Sequence, residues 1–326
     1  MPDPLLYWKA MGIATAASAV VVLAILSLRR SASEVWCNAA CVIGIGSGLA
    51  IGNAVLDLNL SWPPRNGLDR LLMIVIPAVL GIEFMAGFSR VPRVAAWLLR
   101  ISLSLATPRI LLHGSVYLST TADDTASRAW ITMVVSGLGL TLVWGLLSWL
   151  AKRSGGLSIA FALCLAIQCS GVAVMLGGYI KGGAAAIPFV ATLMGASLAL
   201  RAVTTYTPNR VKIDHADNHV AEGIVGVGVV SLFSLLFIGR FFGEISTGPA
   251  ITMLLAPLLC WTTELPLLRN RKPWLVASLR LVMVAIPLLF VLIAAKQKFD
   301  REMSPLLAIV VTTGFAHEKR AHRNRR

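Results

Sequence analysis

Apolar residues fall in runs of membrane length from one end of this 326-residue chain to the other, separated by short polar stretches that hold most of the charge. A helix crossing a bilayer needs about 20 predominantly apolar residues, because a hydrocarbon core of about 30 Å is spanned at about 1.5 Å per residue. Eleven segments reach or approach that length: Ala10 to Leu28, Val35 to Leu56, Leu71 to Phe88, Val94 to Leu118, Ala129 to Ala151, Leu157 to Ile180, Ala184 to Leu200, Val220 to Ile238, Gly248 to Leu268, Trp274 to Ala295, and Met303 to Ala316, the shortest. Lipid offers backbone amides no partner, and a β-barrel would show short alternating segments, so the pattern predicts helices throughout. The expected fold is all-α, a polytopic membrane helix bundle of about 11 transmembrane helices, with residues 1–326 forming one transmembrane domain.

Composition excludes the alternative. A mean hydropathy of +0.78 with 13% charged residues is far from a soluble domain, where about a quarter of residues are charged. The net charge of +14 sits mainly in alternate loops. Arg29 and Arg30, Arg90 and Arg93, Lys152 and Arg153, Arg210 and Lys212, and Arg269, Arg271 and Lys272 mark those loops as cytoplasmic, as in a bacterial inner membrane. The intervening loops are near charge balance. With eleven spans the N-terminus lies outside and the basic tail, 317–326, inside; Lys296, Lys298 and Arg301 dissent by falling on the outer side. The charge therefore reads as topology and attraction to anionic lipid headgroups, with no nucleic-acid partner implied. Because Arg29 and Arg30 follow the first apolar run instead of preceding it, that run reads as a span and not as a cleaved signal peptide.

Weak self-similarity appears at an offset near 180: Pro77 then Glu83 against Pro257 then Glu264, and Pro92, Arg100 and Pro108 against Pro273, Arg280 and Pro287. It suggests repeat halves 1–151 and 184–326 joined by a linking helix, 152–183. A competing likeness at offset 210, Arg70 to Pro77 against Arg280 to Pro287, weighs against it.

Ionisable groups inside spans cost about 2.5 to 3.5 kcal/mol at a helix centre and need partners. Glu83 and Arg100 lie at matching depths in consecutive antiparallel spans, as do Glu264 and Arg280, and both pairs are expected to meet as intramembrane ion pairs. Each serves either as a gate or as a structural staple. Arg109 and His113, spaced i, i+4 after the helix-bending Pro108, form the expected substrate site for an anionic group. His215, Asp217 and His219 have a spacing that grips a divalent ion if their loop enters a helix early, though HExxH is broken by Ala216. No metal or other cofactor is otherwise implied. The five cysteines all fall within spans and read as apolar packing.

Nucleotide-binding, nucleophile-elbow and phosphotransferase motifs are absent from the sequence, and the loops are too short for a soluble catalytic domain. The expected function is a secondary transporter or permease for a small, anionic solute. An intramembrane enzyme acting on a lipid-linked substrate and a non-catalytic scaffold or assembly subunit are the alternatives.

Overall fold

The structure, a computed structural model, describes residues 4–28, 34–58, 60–88, 91–115, 123–153, 157–206, 216–264 and 273–323, with side chains described for all of these except 4, 34, 123–128, 216–221, 273 and 303–323. Every regular element among them is helical. In chain order they are α1 (Pro4–Ser27), α2 (Glu34–Val55), α3 (Gly67–Arg70), a π-helical turn (Leu71–Val75), α4 (Ile76–Ala86), α5 (Arg93–Leu112), α6 (Asp123–Arg153), α7 (Leu157–Leu176), α8 (Ile180–Ala184), α9 (Ala186–Tyr206), α10 (Ala216–Phe242), α11 (Thr247–Leu255), a 3₁₀ segment (Ala256–Glu264) and α12 (Pro273–Arg323). Eight helical stretches among the described residues are long and apolar enough to cross a membrane.

Two expected spans are interrupted by proline. Pro77 has no N–H and crowds the carbonyl four residues back, at Met73. The chain answers with the π turn Leu71–Val75, in which Ile76 N–H bonds to Leu71 O. Pro257 meets the same constraint and the helix tightens to 3₁₀ winding from Ala256 onward. Within these two expected spans Leu71–Ala86 and Thr247–Glu264 are therefore helical, but neither is one regular helix.

The end of the chain departs from expectation. The eleven-segment reading needs a turn between Ala295 and Met303, whereas α12 runs unbroken through this stretch to Arg323. AKQKFDRE is charged but contains strong helix formers and no glycine or proline to end the helix. Lys298 instead pairs with Glu302 one turn on, at 3.5 Å, and Arg301 Nε donates to Gln297 O. The return crossing that would bring the tail to the cytoplasmic side is not formed in the described backbone.

Packing centres on α10, in which every residue from 223 to 239 is buried. From Gly223 to Gly239 its sequence is apolar on all sides, with glycine and serine as the only relief, which is the pattern of a helix enclosed by others. It contacts α2, α4, α5, α6, α7 and α9. Helices α1, α2 and α9 pack closely, because a side chain at Gly195 would strike the backbone carbonyl of Thr15 and one at Gly48 would lie 2.6 Å from Thr192 Cγ2. On the other flank, α12 lies against α7 and the 3₁₀ segment.

Candidate functional site

Two buried arginines organise one end of the bundle. Arg100 sits two turns into α5, opposite the last turn of α4. Its Nε donates to Glu83 Oε1 at 2.9 Å and an Nη to Oε2 at 2.7 Å, a bidentate fork of the kind a planar guanidinium favours. The other Nη donates to Glu222 Oε1 at 2.7 Å, and Lys152 Nζ lies 3.3 Å from Glu222 Oε2. Arg100 and Glu83 are 3% and 1% exposed. Trp97 and Trp144 flank the guanidinium at 5.0 and 5.8 Å. Asn38 Nδ2 donates to the Glu83 backbone carbonyl at 2.8 Å, tying α2 to the same point. The charges thus alternate from Glu83 to Arg100 to Glu222 to Lys152 across α4, α5, α10 and α6.

Glu83 reaches this position because Gly226 of α10 presents no side chain. A Cβ there would collide with Oε1 and lie 2.7 Å from Cδ.

The second arginine repeats the plan with softer partners. Arg280, two turns into α12, donates from Nε to Thr263 Oγ1 at 2.6 Å, from one Nη to Ser158 Oγ at 2.7 Å and from the other to Glu264 Oε1 at 2.8 Å. At an offset of 180, Glu83 corresponds to Thr263, and the carboxylate is supplied by the next residue because 3₁₀ winding turns each residue further about the axis. Trp149 stacks on Trp261 at 4.6 Å, with Arg153 over Trp149 at 4.1 Å, so the last turn of α6 flanks both arginine clusters.

Beside the first cluster lies a cavity of about 320 Å³. Its charged lining is Glu83, Arg93, Arg100, Lys152 and Glu222; Asn38, Trp97 and Phe88 contribute the neutral part. Asn38 Oδ1 is buried with no hydrogen-bond partner among the described residues. The arrangement is suited to hold a small charged group and to exchange the salt bridges that join α5, α6 and α10.

The expected anion site at Arg109 and His113 lies apart from the buried charge cluster. Helix α5 continues past Pro108 to Leu112, and His113 is its C-cap, with a helical φ of −55°. Arg109 is exposed and lies over the ring of Trp130, itself 49% exposed, at 4.9 Å on the periphery of the bundle. Neither residue lines the cavity beside Arg100. His215 and the side chains of Asp217 and His219 lie outside the described residues. Cys37, Cys41, Cys164, Cys169 and Cys260 form no disulfide among the described residues, and all but Cys169 are buried.

Sequence reasoning placed Glu83 with Arg100 and Glu264 with Arg280 but missed Glu222, Lys152 and Ser158 as partners. Glu222 reads as part of a solvated loop and Lys152 as a topology marker; both are joined to Arg100 only by packing of helices distant in the chain.

Comparison with known proteins found no family model that matches this chain and no curated protein significantly similar to it.

Proposed function

We propose that this chain is a multi-pass permease, a secondary transporter for a small anionic solute, and that the cavity beside Arg100 is its cytoplasmic entrance. One observation carries the reading: Arg93, Arg100 and Lys152 share a cavity with only Glu83 and Glu222 opposing them, three cations against two carboxylates. An anion entering there meets a surplus positive charge whose innermost member, Arg100, is buried and so less screened than a charge in open water. It competes with Glu222 for Lys152 and for the outer face of Arg100. The salt bridges joining α5 and α6 to α10 then weaken together, which is a means of opening the bundle at that end.

The orientation proposed puts this end in the cytoplasm. Arg93, Lys152 and Arg153 gather there, and the N-terminus then lies outside, with anionic lipid headgroups facing the basic surface. Counting the proline-interrupted stretches as crossings gives ten among the described residues, against the eleven expected from apolar runs. The register of Pro77 with Pro257, Glu83 with Thr263 and Arg100 with Arg280, each 180 apart, supports a duplicated hairpin. Topology reporters fused after Arg153 and after Lys272 are expected to report cytoplasm, and one after Asp124 the outside. A cytoplasmic signal from the Asp124 fusion reverses the orientation.

The transport reading is tested with purified protein and a panel of inorganic phosphate, sulfate, acetate and succinate, read by thermal unfolding and by uptake into proteoliposomes. At least one anion is expected to stabilise the protein saturably. In Lys152→Ala combined with Arg93→Ala the apparent affinity should fall about tenfold or more, the loss of two charged contacts. Stabilisation by none of these anions, or equally in the double variant, overturns the assignment of this cavity.

A further inference from the structure

A second cavity, of about 450 Å³, lies between α2 and the stretch from the π turn into α4, away from the charged cluster. The two elements meet where Asn38 bonds to the Glu83 carbonyl and part toward the other end of α2. The walls of the gap are Leu49, Leu72, Ile76 and Leu80, with Leu58 and Leu60 lining it beyond the end of α2. Ala50, Ala54 and Pro77 line it too and are exposed, so it opens on the flank of the bundle. Ile43, Ile51 and Ile74, exposed at 44%, 41% and 39% on the same elements, mark that flank as one that faces hydrocarbon.

Within this apolar lining sits one polar side chain. Asn53 is 8% exposed, and its Oδ1 has no hydrogen-bond partner among the described residues. A buried amide oxygen left without a donor is costly, and more so where no water enters. A groove meant only for packing would carry an aliphatic residue at this point. Asn53 lies half a turn from the end of α2, the depth at which a lipid changes from chain to headgroup.

We propose that this groove binds one chain of a membrane lipid that carries a free hydroxyl at its head–chain junction, with the hydroxyl bonded to Asn53. An amide has both a donor and an acceptor, and a hydroxyl answers either one. The ester and phosphate oxygens of ordinary phospholipids only accept and leave Oδ1 unsatisfied. The chain replaces the missing contact between α2 and α4, whose walls otherwise lose dispersion energy across the gap.

The test uses the full chain, purified in detergent and stripped of lipid, with monoolein and methyl oleate as probes. They share an acyl chain and an ester, but only monoolein has hydroxyl groups. Binding is read by native mass spectrometry and by thermal unfolding. Wild type is expected to retain monoolein about tenfold better than methyl oleate, the worth of one buried hydrogen bond. Asn53→Leu should lose this preference while still binding both chains, and Ala50→Trp, which fills the groove, should bind neither. Ala54→Trp serves in place of Ala50→Trp if that variant does not fold. Equal retention of the two probes by wild type, unchanged preference in Asn53→Leu, or undiminished binding in the filled variants overturns the proposal. None of these readouts depends on the anion site beside Arg100.

Discussion

Arg100→Met is expected to be the most damaging single substitution in this chain. It leaves Glu83 and Glu222 facing one another with only Lys152 to offset them, and Glu83 is 1% exposed. Removing one partner of a buried pair costs about 3 to 5 kcal/mol, because the remaining charge keeps its desolvation penalty and loses its compensation. Against an ordinary total stability of about 5 to 15 kcal/mol this is a large fraction. The check is thermal unfolding and monodispersity in detergent for Arg100→Met alone and together with Glu83→Gln and Glu222→Gln. The triple variant, in which only the part-exposed Lys152 keeps a charge without its partner, should recover most of the loss, since neutral groups of similar shape often replace a buried ion pair at little cost. Arg100→Lys should rank between wild type and Arg100→Met, because an ammonium cannot reproduce the bidentate fork. If Arg100→Met unfolds like wild type, the network does not hold α4, α5 and α10 together.

The second large effect is expected at Gly226. Valine there cannot be accommodated without moving Glu83, since its Cβ would occupy the space of the carboxylate. Overpacking of this kind costs about 1 to 3 kcal/mol, and part of the Glu83–Arg100 bond is lost with it. The control is Gly81→Val, at a helical glycine on α4 with nothing within 4 Å of the added Cβ. Gly226→Val should lower the unfolding temperature markedly and Gly81→Val little. Combining Gly226→Val with Glu83→Ala should restore part of the loss, because the shorter side chain clears the collision. Equal destabilisation by the two glycine substitutions would show that helix propensity, and not contact with Glu83, sets the cost.

Both experiments bear on how α10 is held. Its first turns take up Glu222 and its Gly226 admits Glu83, so a single helix carries both the binding partner of Arg100 and the space that lets Arg100 be neutralised. Disturbing either end of this arrangement is expected to alter anion binding in the neighbouring cavity, since Lys152 is positioned through Glu222.

Sequence by itself determined that this protein is helical and of membrane type, because the length of an apolar run and the absence of backbone partners in lipid are local constraints. It also determined that Glu83 pairs with Arg100 and Glu264 with Arg280: each pair lies in one hairpin, at matching depth, where the connection leaves little choice of partner. What tertiary structure alone decided was everything that depends on which face of a helix meets which neighbour. Glu222 and Ser158 each reach an arginine 122 residues away, a relation set by packing and not by spacing. Arg109 seemed the best ligand for an anion because it follows a proline, yet the face it occupies is the outer one, where Trp130 receives it. Pro77 and Pro257 announced a break but not its form. A π turn accommodates the first and 3₁₀ winding the second, and Arg280 meets both Thr263 and Glu264 on the 3₁₀ segment where Arg100 meets Glu83 on α4. The turn expected near Lys298 did not form, because charge marks where a helix leaves lipid, whereas only a residue that breaks the backbone hydrogen bonds ends the helix itself.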